Sequence, residues 1–379
     1  MPKLAELIDA LNAWYPPATA ESWDAVGLSC GDPAAEVDRV LVALDCVPAT
    51  VAEALAERAG LLLTHHPLLL SGVHGVAADQ PKGALVHRMI TGSVAHFVAH
   101  TNADVAEHGV SQALADLLGL LDCRPLQPDS LPALDYLAVY VPLAALAGVR
   151  AALAGAGAGT IGNYAEAGFV VTGTGQFRPL PGANPAAGEV GVLHEAAEAR
   201  LSMVLPRSCR TAVLAAMRAS HPYEEVAFEL TEQPRLPAAT GTGRIGRLAS
   251  PLTLREFAGL VADRLPRTAG GIRAAGSADQ LIETVAVCGG SGASYTELAR
   301  QAGADAYLTA DLKHHSSLEA VAERAGLPDR QLALVDAAHW ASEAPWLPVV
   351  AGLLRAEFGD RLQVRVSELV TDPWTLHLP

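Results

Sequence analysis

The sequence predicts an α/β protein: a duplicated βαβ core whose mixed, largely parallel strands are flanked by helices, interrupted by a small inserted α+β domain. Three observations carry that prediction. Short all-apolar runs such as Leu61–Leu63 alternate with segments of helical periodicity, the pattern of strands buried on both faces. A strand–helix–glycine–strand order over residues 39–64 returns over residues 283–309 with matching lengths, so the two halves are expected to complete one sheet. Two proline-rich stretches, Pro125–Pro132 and Pro234–Thr240, bracket a segment of different composition and read as linkers. The expected limits are 1–127 for the first half of the core, 128–236 for the insert and 237–379 for the second half.

Taken in order, Met1–Asn12 is an amphipathic helix with Leu4, Leu7, Ile8 and Leu11 on one face. Trp23–Leu28 leads through a turn at Gly31-Asp32-Pro33 into a buried strand, Arg39–Asp45. A helix opens at Pro48–Thr50, runs over Val51–Ala59 and is closed by Gly60. The Leu61–Thr64 strand follows and is stopped by Pro67, which has no N–H to donate to a ladder. A helix around Lys82–Thr91 precedes a strand over Ser93–Asn102, and Gly109–Leu120 is helical. Between the linkers come a strand (Asp135–Val141), a helix (Leu143–Ala154) and a glycine-rich stretch (Gly155–Gly191). A strand (Ala199–Leu205), a helix (Cys209–Ser220) and a strand within His221–Leu230 complete an α+β succession. Gly241–Gly246 imitates a dinucleotide fingerprint, but the next helix begins only at Thr253, so no helix N-terminus caps these glycines. In the second half, the strand beginning at Glu283, the helix Tyr295–Ala302, the stop at Gly303 and the strand Asp305–Thr309 repeat the first. Thr64 and Thr309 fall in like places. A strand over Gln331–His339 follows, and Glu343 opens a helix to Phe358 whose prolines, Pro345 and Pro348, lie near its start.

Composition narrows the partners. Half of the 379 residues are apolar and 18% are charged, with a formal charge of −15. An acidic balance without basic runs argues against a nucleic-acid or anionic-membrane partner. Five scattered cysteines with no C-x-x-C pair suit a reducing compartment. No apolar run approaches the ~20 residues of a spanning helix, and the first helix lacks the basic-then-apolar form of a signal peptide. The expectation is a soluble, cytoplasmic protein.

The chemistry gathers at strand ends. Carboxyl ends of parallel strands share one edge of a sheet, where ligand sites collect. Four such ends carry metal-ligating types: His65 and His66; Asp104; Asp311 with His314 and His315; His339 and Glu343. Adjacent strand residues point apart, so His65 and His66 would serve two ions rather than share one. Read alone, the pair is equally compatible with packed or exposed histidines. Imidazoles and carboxylates without thiolate suit Zn, Mn, Fe or Ni better than Ca or Mg.

Four segments in order, Trp23–Leu28, Thr64–Pro67, His100–Asp104 and Asp336–Glu343, resemble the NGG-interacting-factor family. Its bacterial members are named GTP cyclohydrolase I type 2 homologues and described as dinuclear-metal hexameric proteins. The resemblance covers nearly the whole chain. Ile161–Tyr164, Gly175–Pro179 and His221–Val226 are similar to the inserted domain of the longer members, itself like nitrogen-regulatory and copper-tolerance trimer folds. The resemblance implies two divalent ions per chain on His65, His66, Asp104, His339 and Glu343, with Glu343 bridging. It implies that Asp311 and His315 stand beside the site, facing substrate or supporting the ligands. It also implies a homohexamer, a ring of cores with inserts packed as trimers above and below. Ala310 and Ala338 stand where glycine is usual, Ser111-Gln112 replaces Asn-Asp, and Leu70-Ser71 replaces an aromatic–basic pair. These departures do not touch the ligand set, and Leu70-Ser71 bears on the substrate contacts that the resemblance implies.

The function expected from the site and the resemblance is a two-metal hydrolase of a nucleotide or similar heterocycle. For GTP, water would attack C8 of the purine and release formate. The competing reading is a metal-binding or regulatory scaffold with the insert as sensor or gate. Five side chains around two ions leave positions for water, which favours the enzyme.

Overall fold

The computed structural model describes residues 1–322 and 331–378. These divide into two compact units, one formed by Met1–Asp129 with Ala239–Pro379 and the other by Ser130–Ala238.

The first unit begins with α1 (Leu4–Trp14), β1 (Gly27–Cys30), β2 (Arg39–Ala43), α2 (Pro48–Ala56) and β3 (Leu61–Thr64). Next come α3 (Pro81–Thr91), β4 (Ala95–Val98), α4 (Thr101–Val105), α5 (Val110–Leu118) and β5 (Leu121–Ser130). The second unit holds β6 (Leu134–Pro142), α6 (Leu146–Gly155), β7 (Gly168–Phe177), β8 (His194–Pro206), α7 (Arg210–Ser220) and β9 (Phe228–Glu232). The chain then returns to the first unit with β10 (Pro237–Thr253), α8 (Leu254–Arg264), β11 (Ile272–Ala275), β12 (Leu281–Ser291), α9 (Thr296–Gln301) and β13 (Ala306–Ala310). It ends with α10 (His314–Val321), β14 (Ala333–Ala337), α11 (His339–Glu343), α12 (Trp346–Phe358) and β15 (Gln363–Val366).

The halves of the first unit build two sheets, not one. The first has the order β1-β4-β3-β2-β15 and the second β11-β14-β13-β12-β10-β5. In each, three consecutive strands run parallel (β2, β3, β4 and β12, β13, β14), and an antiparallel strand lies at one edge. A shared core joins them: Leu61, Leu63 and Phe97 from the first sheet and Val285, Leu308 and Val335 from the second belong to one buried cluster. α1, α5 and α12 complete it with Leu4, Leu7, Leu114, Trp346 and Val350. Trp346 is fully buried, and its indole N–H donates to Tyr15 Oη at 3.1 Å.

Local sequence accounts for the element ends, with corrections. Thr253 caps α8, accepting from the Glu256 amide while the Glu256 carboxylate accepts from the Thr253 amide. Gly119 closes α5 in the left-handed region. Gly60 does not close α2. Arg58 takes the positive φ there, and the Gly60 amide bonds the Arg39 carbonyl beside Val37, where a Cβ would come within 3.1 Å. Pro125 and Pro128 lie not in a linker but in β5, the outermost strand of the second sheet, where proline is tolerated. Glu343 ends α11 rather than opening the long helix, because α12 begins after Pro345.

The second unit is a four-stranded antiparallel sheet of order β7-β8-β6-β9 with α6 and α7 on one face, a β-α-β-β-α-β succession. Buried Asp135 accepts from Arg207 and Arg210 at 2.7–3.0 Å.

Candidate metal centre

The strand ends of the two sheets face each other across the core, and four histidines there share one orientation. His65 follows β3; its Nδ1 lies 2.8 Å from the Ala99 carbonyl, which only an N–H can satisfy. His66 Nδ1 lies 2.7 Å from Asp45 Oδ1, His100 Nδ1 2.8 Å from Asp24 Oδ1, and His339 Nδ1 2.7 Å from Asp311 Oδ2. Each Nδ1–H therefore donates outward, which fixes the ring and leaves the Nε2 lone pair pointing inward.

Two carboxylates meet those lone pairs. Glu343 is 3% exposed and lies one helical turn from His339 on α11. Its Oε1 is 3.1 Å from His339 Nε2 and 3.6 Å from His65 Nε2; its Oε2 is 3.0 Å from His66 Nε2. Asp104 on α4 brings Oδ1 to 3.6 Å from His65 Nε2. Lone pairs face lone pairs. His65 Nε2, Asp104 Oδ1 and Glu343 Oε2 are all buried without a hydrogen-bond partner. A buried acceptor cluster of this kind is satisfied by protons or by a metal ion between its members.

The electrostatics say the same with protons. Burial favours neutral imidazole at His66 and His339, yet the Glu343 carboxylate, with Asp45 and Asp311 behind, pushes them up to about 10 and about 9. Burial raises Asp104 to about 6. Burial would also raise Glu343, but the surrounding histidines hold it well below the usual carboxylate range. Divalent ions satisfy the same demand with fewer particles. Two groups of ligand atoms are close enough for one ion each: His65, His66 and His100, and His66, His339 and Glu343.

The five residues expected as ligands thus converge. Asp311 carries the imidazole of His339 and does not itself enter the cluster. His315 is exposed on α10 with its ring 5.2 Å from that of His314, and no contact with the cluster is found among the described residues. Sequence reasoning left His100 without a role, and it left Asp24 and Asp45 out of the constellation. Their partners lie 76 and 21 residues away, beyond any local spacing. It also passed over Gly290, whose φ of 65° and missing side chain make room for Glu343: a Cβ there would stand 2.2 Å from Oε1. A cavity of about 560 Å³ opens beside His66 and His339, lined further by Asp311, Arg273, Asp336 and Trp374. Among the described residues no helix is long and apolar enough to cross a membrane.

The profile of the Duf34/NIF3 (NGG1p interacting factor 3) family matches residues 2–373. A Mycobacterium tuberculosis protein named GTP cyclohydrolase 1 type 2 homolog is 50% identical over 375 residues, covering 99% of this chain and 97% of its own. A Bacillus subtilis protein of the same name is 38% identical over 98% of this chain and 97% of its own. Among solved structures, a Bacillus cereus protein described as related to NIF3 superposes with a TM-score of 0.70 at 33% identity, over 99% of each chain. A Staphylococcus aureus protein does so with a TM-score of 0.78 at 27% identity, again over 99% of each.

Proposed function

Because the chain belongs to the Duf34/NIF3 family, we propose that it is a divalent-metal hydrolase acting on a nucleotide or a similar nitrogen heterocycle, of the GTP cyclohydrolase type named for its relatives. One observation carries the reading: the inward lone pairs of His65, His66, His100 and His339 meet the buried carboxylates of Glu343 and Asp104 with no donor between them.

In this reading His65, His66, Asp104, His339 and Glu343 would hold the ions, two by the family resemblance, and the two oxygens of Glu343 face different histidines. Ions held there supply Lewis acidity toward water and toward a substrate oxygen or nitrogen. The chain's own groups do the rest. The Ala99 carbonyl, Asp45 and Asp311 hold the His65, His66 and His339 imidazoles as neutral Nε2 donors, and Asp24 orients the neighbouring His100 ring. The cavity beside His66 and His339 receives the substrate, with Trp374 as an exposed aromatic wall and Asp311 at its edge. The family resemblance supplies the expectation of a homohexamer.

Elemental analysis of untagged protein, followed by a hydrolysis screen of nucleotides with the metals found, tests the activity, and light scattering tests the assembly. About two ions per chain and release of formate from GTP, or ring opening of a related heterocycle, is the expected result. Metal retained without turnover on any heterocycle would replace the hydrolase by the scaffold reading, and protein purified without metal would remove both.

A further inference from the structure

We propose that the inserted domain carries a second ligand site, built for a small organic cation and organised around the carboxylate of Glu198. Glu198 stands on β8, on the sheet face opposite α6 and α7, and is 9% exposed. Its cross-strand neighbour on β7 is Gly173, and Gly175 lies diagonally next to it. The carboxylate lies in the hollow these glycines leave: a Cβ on Gly175 would come 2.0 Å from Oε2. Oε1 accepts a hydrogen bond from Tyr223 Oη at 2.8 Å. Oε2 has no hydrogen bond among the described residues.

Among the described residues no cation pairs with this charge, although Arg178 lines the same cavity. Arg200 donates to Ser202 and Glu229, at 3.0 and 3.3 Å. Arg178 donates to the Gly191 carbonyl at 2.6 Å. Buried carboxylates are ordinarily paired with a cation or bound to a metal. Among the described residues Glu198 has neither, and it lines a cavity of about 340 Å³.

The walls of that cavity define what would fill it. Phe177 and Tyr223 stand edge-to-face with ring centres 5.4 Å apart, and Pro179 and Leu180 continue the apolar surface. Both Glu224 oxygens accept from the Asn184 amide, at 3.1 and 3.3 Å, which ties down the loop that forms one side. Glu225 adds a second negative charge at the rim. Aromatic faces with one buried carboxylate recognise an ammonium or guanidinium on an apolar stem, through cation–π attraction and a charge-assisted hydrogen bond. A bare metal ion would need several converging ligand atoms, and the described groups that offer them all lie at the strand-end centre.

Calorimetry on the full-length protein with agmatine and 1,5-diaminopentane, and with 1,5-pentanediol as the uncharged control, tests the proposal. One saturable site per chain is expected for at least one of the two cations and none for the diol. Glu198→Gln keeps an acceptor for Tyr223 and removes the charge, so affinity should fall ~10–100-fold. Gly175→Ala should weaken binding by displacing the carboxylate without changing any charge. Glu229→Gln, which touches the Arg200 pair instead, should leave it unchanged. Thermal melts of each variant confirm that the insert is folded. Absence of binding by both cations, equal binding of the diol, or a folded Glu198→Gln within twofold of the parent would each overturn the proposal.

Discussion

Replacing Gly290 with alanine removes no ligand and adds one methyl group, so it separates the geometry of the centre from its composition. Gly290 lies at the end of β12 with φ of 65°, and the new Cβ would stand 2.2 Å from Glu343 Oε1 and 3.3 Å from His339 Nε2. Ordinary contact begins near 3.4 Å, so Oε1 must retreat by roughly 1.2 Å or the strand must move. Metal–ligand distances tolerate shifts of only about 0.2 Å, so a displacement several times larger should weaken binding by about 100-fold. Alanine in the left-handed region adds about 1–2 kcal/mol of backbone strain, which lowers the melting temperature without unfolding the protein. Metal content after dialysis and competition against a chromogenic chelator read the affinity. Gly155→Ala, where a Cβ meets nothing within 4 Å, is the control. A folded Gly290→Ala protein with parental stoichiometry and affinity would refute the placement of Glu343 as a shared ligand.

Other perturbations address the remaining parts. His66→Ala and Glu343→Gln should each lower metal content severalfold, and only Glu343→Gln should affect both ions; unchanged elemental analysis in the two variants would contradict the ligand set. Asp311→Ala frees the His339 ring and should cost about 10–100-fold in metal affinity, Asp311→Asn less because it keeps an acceptor, and His315→Ala nothing. In metal-free protein, His66 and His339 have folded pKa values of about 10 and about 9, above the ordinary imidazole value. The stability they contribute is full below about pH 6.5 and is lost as pH rises through 9 to 10. Melting temperature without metal should therefore fall across that window, while metal affinity rises because fewer protons must be displaced; a pH-independent affinity between 7 and 9 would exclude these protons from the linkage. Excising residues 131–236 and joining Ser130 to Pro237 through a short Gly/Ser turn should leave a folded, metal-binding core, since Leu131 N–H bonds the Leu236 carbonyl at 2.9 Å and the ends are already adjacent. Aggregated or metal-free product would show that the core depends on the insert.

Much of the centre was legible because its ligands sit at strand ends, and strand ends are visible as apolar runs that stop at polar residues. Leu61–Thr64 followed by two histidines is such a case. What local pattern could not supply were relations across the chain. The repeat between the halves suggested a single sheet, whereas there are two, each completed at one edge by a strand from the other half, β15 in the first and β5 in the second. Helical periodicity runs from Glu343 to Phe358 without a gap, and only the backbone reveals that the helix breaks at Ala344-Pro345 and leaves Glu343 on the preceding turn. Pro125 and Pro128 looked like linker residues because proline cannot serve a central strand, but an outermost strand tolerates it. His100 stood in view without a role, since nothing nearby announces that Asp24 holds its ring.

The division of the ligands between two sheets also has a temporal side. Glu343 is synthesised 277 residues after His66, with the whole insert between them. At ~5–20 residues per second, the first histidines leave the ribosome roughly 14–55 s before the carboxylate that would tie them to the second sheet. Until then His65 and His66 stand without His339 and Glu343. An ion held by residues of both sheets would find its full set of partners only once the chain has passed Glu343.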